Sequence, residues 1–241
     1  MRNTGVLINI FLIVILSVVC IREHYPERLF HRIFDRPQPT ERKSYLNNIQ
    51  WHARENYFDQ DTISHYEVVM IGNSITQGGL WEQLLNSTSL KNLGIGSDIS
   101  EGVLNRIQRA IGYSPRYLFI EIGINDICAN IPTDTIIRNY QRIVSLLASH
   151  DIITGITGVI YVGESYPNAA EINKAVESFN TELMSLSRDG VYYIDLNSGL
   201  APNGFLSADL TYDQIHLTPK GYSIYAKTIN DFMTAHEAHH Q

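Results

Sequence analysis

YEVVMIGNSITQGGLWEQLL, residues 66–85, changes its hydrophobic period at the middle. Tyr66 to Gly72 is a short, β-rich apolar run closed by a glycine, the pattern of a buried strand. Ser74 to Leu85 continues with apolar residues at helical spacing after a loosened first turn. A strand that passes through one tight turn into a helix is the opening half of a βαβ unit, whose helix returns the chain for a parallel partner.

The same alternation extends outward. LKNLGIG (90–96), RYLFIEIG (116–123), ITGITGVIYVG (153–163) and VYYIDL (191–196) read as four further strands. Amphipathic stretches follow or separate them at 99–111, 133–150, 169–188 and 218–236. Five strands alternating with helices predict an α/β fold with a doubly wound, five-stranded parallel sheet. Ligands bind such sheets outside the carboxyl ends of the strands, so the polar residues just after each strand carry the functional question. These are Asn73 and Ser74, Ser97 and Asp98, Asn125 and Asp126, Glu164, and a last loop holding Asp213 and His216.

Composition sets the class. With 241 residues, 44% hydrophobic and 18% charged, the chain is long and apolar enough for a globular core. A net charge of −7 argues against a nucleic-acid partner, which would demand a basic face. The charge is uneven: residues 1–64 carry 8 Lys/Arg against 7 Asp/Glu, whereas residues 65–241 carry 10 against 18. Gly5 to Ile21 is a 17-residue uncharged run preceded by Arg2. A helix of that length spans roughly 25 Å, the short end for a bilayer core. Residues 1–21 are therefore expected to be a signal anchor, with a cleaved signal peptide as the alternative. Residues 22–64 follow as a juxtamembrane stalk and 65–241 as the α/β domain, expected on the non-cytoplasmic side of the membrane, or secreted if the signal is cleaved. Cys20 lies in the apolar run and Cys128 in an apolar setting, so no internal disulfide is expected.

Four residues could act together. Ser74 stands at a strand-to-helix junction; a lone serine there is more often a helix N-cap than a nucleophile, and Thr76 excludes the G-x-S-x-G elbow. A serine hydroxyl needs a base, and the base an orienting partner. His216, three residues after Asp213 in YDQIHLTPKGY, offers both, although D-x-x-H is by itself unremarkable. Asn125 in EIGINDI could donate its amide to a developing oxyanion or simply form a turn.

GNSIT (72–76), NLGIGSD (92–98), GIND (123–126) and DQIH (213–216) resemble, in order, the four motif blocks of the SGNH hydrolases, also called GDSL esterases and lipases. The resemblance covers essentially all of residues 65–236. It implies a flavodoxin-like three-layer α/β/α sandwich and carboxylic-ester hydrolysis without metal or organic cofactor. Ser74 would be the nucleophile, His216 the base and Asp213 its orienter. The oxyanion hole would comprise the backbone N–H groups of Ser74 and Ser97 and the side chain of Asn125. Two positions depart from the family pattern: Asn73 replaces an Asp, and Ser97 stands where the family has its oxyanion glycine.

Expected substrates are short-acyl, especially acetyl, sugar esters or lysophospholipid-type esters, with the membrane engaged through residues 5–21. A catalytically inactive SGNH-like domain that binds glycan or acyl ligands is the alternative that the two departures motivate. Tyr161, Glu164 and Tyr166 are candidate pocket residues. HEAHH (236–240) matches a zinc-protease pattern but falls in a frayed terminal helix, so no metal site is expected. The sequence assigns no oligomeric state.

Overall fold

The computed structural model describes residues 44–238. Its strands are β1 (Val68–Gly72), β2 (Leu90–Gly94), β3 (Tyr117–Glu121), β4 (Ile153–Thr157) and β5 (Val191–Ile194). All pair in parallel, in the order β2-β1-β3-β4-β5. Winding reverses between β1 and β3, and in this order ligands bind at that switch point. Gly72 aligns with Gly94 on one side and Glu121 on the other, so β1, β2 and β3 end level and release their loops along one edge.

Every residue of β1 and β3 is buried, as central strands covered on both faces require. Alternate side chains enter two cores. Val69, Ile71, Leu118 and Ile120 pack with α4 (Ser100–Gly112), α6 (Thr133–Leu147) and α7 (Ala169–Met184). Val68, Met70, Tyr117 and Phe119 pack with α3 (Trp81–Leu84), α8 (Asn197–Leu200) and α9 (Pro219–Ala238). Each large apolar side chain buried this way stabilises by roughly 1.5–3 kcal/mol. The result is the predicted α/β arrangement with helices on both faces of a five-stranded parallel sheet.

Two elements differ from their predicted extents. The single helix expected over 74–85 is two, α2 (Ser74–Gly78) and α3, because Gly79 turns extended between them. The apolar run 153–163 leaves the sheet at Thr157. Beyond it, side-chain amides replace the ladder: Asn180 exchanges hydrogen bonds with both backbone groups of Val159, and Asn173 with both of Val162.

The apolar stretch 5–21 lies outside the described residues, as do residues 22–43 of the segment read as a stalk. Among the described residues, no helix is long and apolar enough to cross a membrane. Residues 44–64 hold a short 3-10 turn (Tyr45–Asn47) and α1 (Ile49–Phe58), and they pack on the domain. Phe58 joins the first core, and Asn48 caps α1 while donating to the Gly96 carbonyl at 2.9 Å. Asp61 accepts from Lys91, Tyr66 and Tyr113.

Candidate active site

Ser74 opens α2 at the end of β1. Asn73 caps that helix, its Oδ1 accepting from the Ile75 N–H at 2.8 Å. The far end of α2 is held by Asn92 and Trp81, whose side chains donate to the Thr76 carbonyl at 3.0 and 2.6 Å. The helix backbone also lies against β2, where a Cβ on Gly94 would fall 2.1 Å from the Gln77 nitrogen, so this position accepts only glycine. The nucleophile candidate therefore sits on a short turn fixed at both ends.

His216 and Asp213 reach Ser74 from the loop before α9. Asp213 Oδ1 accepts the backbone N–H groups of Ile215 and His216, at 3.1 and 2.7 Å, folding D-x-x-H into a tight turn. Its other oxygen lies 2.6 Å from His216 Nδ1, and His216 Nε2 lies 2.8 Å from Ser74 Oγ. A carboxylate only accepts, so Nδ1 carries the proton and Nε2 is left to accept from the serine hydroxyl. Burial alone would raise the Asp213 pKa, but the ring and backbone donors of His216 and the Ile215 N–H outweigh it, and the pKa falls below the ordinary carboxylate value. The loop is pinned as well: the Thr211 hydroxyl donates to the His216 carbonyl at 2.8 Å, and Gly163 N–H to the Gln214 carbonyl at 2.7 Å.

Asn125 follows β3 in α5 (Ile124–Cys128). One hydrogen of its amide goes to the Asp98 carbonyl at 2.9 Å, which sets Asn125 against the Ser97–Asp98 turn and leaves its second amide hydrogen available. Ser97 is exposed and adopts φ 59°, the left-handed region that glycine enters freely and serine only at a cost. Gly123, in the third block, has φ +138°, and a Cβ would meet Val159 at 2.8 Å.

Behind this edge lies a buried ion pair that sequence reasoning missed. Arg106 donates through Nε and Nη2 to Asp98 at 3.0 and 2.8 Å, and to the carbonyls of Leu93 and Gly72. One guanidinium thus ties the ends of β1 and β2 to the turn that bears Ser97. Burial pushes the Asp98 carboxyl up to about 6 despite Arg106. The adjacent Asp126, pushed up to about 7 by burial, accepts from the backbone N–H and hydroxyl of Ser100. A charge on the apolar stripe Ile99, Val103, Arg106, Ile107, Ala110 was the available signal.

A cleft of about 420 Å³ opens beside Ser74 and His216, walled by Leu80, Leu84, Leu217 and Tyr222. Tyr212 stands 71% exposed at its mouth, ring nearly parallel to the His216 imidazole with centroids 5.8 Å apart. Of the residues read as pocket candidates, Tyr161 lines a different hollow with Tyr193 and Asp195, and neither Glu164 nor Tyr166 borders the Ser74 cleft. Among the described residues no cluster of His, Cys, Asp and Glu could hold a metal ion.

The chain resembles known proteins at three levels. N-acylneuraminate cytidylyltransferases of Streptococcus agalactiae are 31% identical over 101 residues, 42% of this chain, which spans about a quarter (24%) of their length. A GDSL-like lipase from Bacteroides thetaiotaomicron shares the fold with a TM-score of 0.64 at 21% identity, covering 77% of this chain and 98% of that one. A mutant of an acetyl-xylooligosaccharide esterase from Geobacillus does so with a TM-score of 0.58 at 16% identity, covering 70% and 94%. The family model of the GDSL-like lipases and acylhydrolases matches residues 70–224, well over half of the 241. With the switch-point site and the ordered blocks that fall inside that match, the chain belongs to the GDSL-like lipase/acylhydrolase family.

Proposed function

We propose that the chain is a serine esterase that hydrolyses carboxylic esters through an acyl-enzyme. The observation that carries this reading is the continuous hydrogen-bonded chain Ser74 Oγ, His216 Nε2, His216 Nδ1, Asp213 Oδ2, with links of 2.8 and 2.6 Å. Ser74 Oγ bonds to the ester carbonyl carbon as its proton passes to Nε2. The carbonyl oxygen, now negative, is taken by the Ser74 and Ser97 N–H groups and the free Asn125 amide hydrogen. His216 returns the proton to the leaving alcohol as the carbon–oxygen bond breaks. Water then repeats the sequence on the acyl-Ser74 ester and releases the acid, with the ionised Asp213 holding the imidazole throughout.

Two observations bear on substrate. The apolar wall of Leu80, Leu84 and Leu217 favours an ester with an apolar group, as in a lysophospholipid. The exposed Tyr212 ring offers a stacking platform for a sugar bearing a short acyl group, the kind of ester cleaved by the Geobacillus protein that shares this fold. Rates across an acyl series from acetyl to palmitoyl separate the two: a sharp acetyl preference supports the sugar ester, and sustained long-chain activity the lipid. In the inactive-domain alternative, folded wild type hydrolyses nothing in that series. Purified Ser74→Ala is expected to lose about 10³-fold or more of the activity; a variant as fast as wild type overturns the assignment. Membrane attachment through residues 5–21 belongs to the same proposal, and detergent-phase partition lost on deleting residues 1–21 tests it.

A further inference from the structure

Directly beneath the Ser74 turn, Glu121 ends β3 with its side chain on the face that α9 covers. It is 1% exposed, and among the described residues neither carboxyl oxygen meets a partner at hydrogen-bonding geometry. Among the described residues no Lys, Arg or His forms an ion pair with it. Two other buried polar atoms at the same turn are also unpartnered, Asn73 Nδ2 and Thr76 Oγ1. Backbone geometry brings these three residues together. Asn73 N–H donates to the Glu121 carbonyl at 3.3 Å, and a Cβ on Gly72 would lie 2.2 Å from that carbonyl and 2.3 Å from Thr76 Oγ1.

The tyrosines that sense the Glu121 charge have their hydroxyls committed elsewhere. Tyr222 on α9 donates to the Ile75 carbonyl, Tyr225 on α9 pairs with Thr157 of β4, and Tyr140 on α6 donates to the Ile122 carbonyl. An ionised carboxylate buried with no cation beside it is strongly disfavoured, whereas a neutral carboxyl can both accept and donate. An amide N–H₂, a hydroxyl and a carboxylic acid are complementary in donors and acceptors.

We propose that Glu121 is a positioning residue for ester hydrolysis: as a neutral acid it joins the Asn73 amide and the Thr76 hydroxyl, directly or through one buried water, and so fixes the cap that sets the Ser74 N–H and Oγ. The inference rests on the esterase reading above. It also accounts for Asn73, because an aspartate there would face a second carboxyl in a closed space with no cation to offset either charge. Burial pushes the Glu121 carboxyl up to about 8, with the Asn73 amide opposing, so the acid is neutral at pH 7 and ionises in mild alkali. Ionisation would place a negative charge under the forming oxyanion and break the network.

The test uses the full chain, with p-nitrophenyl acetate hydrolysis between pH 6 and 10 corrected for the uncatalysed rate. Wild-type kcat is expected to fall above pH 8 with little change in KM. Glu121→Gln, which keeps the shape and cannot ionise, retains most of kcat at pH 7 and loses the alkaline fall. Glu121→Ala loses about tenfold or more of kcat. An alkaline fall unchanged in Glu121→Gln, or full kcat in Glu121→Ala, overturns the inference. Failure of the esterase reading looks different: folded wild type neither hydrolyses ester nor reacts with a fluorophosphonate. The network is then read from thermal melting. A folded-state pKa above the unfolded value means stability declines as pH rises from about 4.5 to 8. Asp98 and Asp126, also raised by burial, add to this decline, so Glu121→Gln should make it shallower by the share of Glu121, and the same decline in both proteins refutes the neutral acid.

Discussion

Arg106→Met removes the charge from the pair behind the Ser97 turn while keeping an unbranched side chain of similar length. Arg106 and Asp98 are 1% and 0% exposed, so the substitution leaves a carboxyl in the interior and takes the donors from the Leu93 and Gly72 carbonyls. Breaking a buried pair on one side costs about 3–5 kcal/mol, and each stranded carbonyl about 1 kcal/mol. The new methionine offsets part of this by burying an apolar side chain in the same space, so a net loss of about 4 kcal/mol is expected. For a domain of this size that lowers the melting temperature by about 8–16 °C. The loss depends on pH. Asp98 already titrates near 6 with Arg106 beside it, and without the cation burial raises it further. A carboxyl raised above its unfolded value contributes stability that is lost as pH rises. The deficit should therefore be smaller at pH 5 than at pH 8, and Arg106→Met/Asp98→Asn should recover much of it. Melting within 2 °C of wild type, or a deficit equal at both pH values, refutes the reasoning.

Three other outcomes follow from the same geometry. Asn125→Ala should lower kcat about 10²–10³-fold with KM little changed, since its free amide hydrogen matters only once the oxyanion forms; steady-state kinetics read this directly. Ser97→Gly should raise stability by about 0.5–1 kcal/mol in urea titrations without loss of activity, because φ 59° suits glycine better than serine. Asp61 has a carboxyl that burial would raise, yet Lys91, the Ile63 N–H and Tyr66 bring it down to about 2. Its contribution is complete above pH 4 and is lost as pH falls toward 2. Asp61→Asn should thus melt below wild type at pH 6, with the gap closing in acid.

The sheet was legible because strands buried on both faces read as unbroken apolar runs, and β1 and β3 are such runs. The helices α4, α6 and α7 announced themselves by amphipathic period. Extents failed where tertiary contacts replaced local pattern: Val159 and Val162 read as strand, but asparagines on a neighbouring helix satisfy their backbone. α1 escaped notice because Phe58 is its only buried residue, so it carries no apolar stripe, and what holds it is the reach of Asn48, Glu55 and Asp59 to Gly96 and Arg109. Ser74, Asn125, Asp213 and His216 were visible because each follows a strand or stands in a short motif. Arg106 and Glu121 were not, since a charge inside an apolar run reads as a blemish until its partners, or their absence, are seen in three dimensions.

The hydrogen-bonded path from Asp213 through His216 to Ser74 is the centre of the account, and reaction with a fluorophosphonate probe followed by peptide mass mapping tests it most directly. Stoichiometric phosphonylation of Ser74 in the wild type, abolished in Ser74→Ala and slowed by orders of magnitude in His216→Ala, is the expected result. Folded wild-type protein that takes up no probe, or takes it up at another serine, would contradict it.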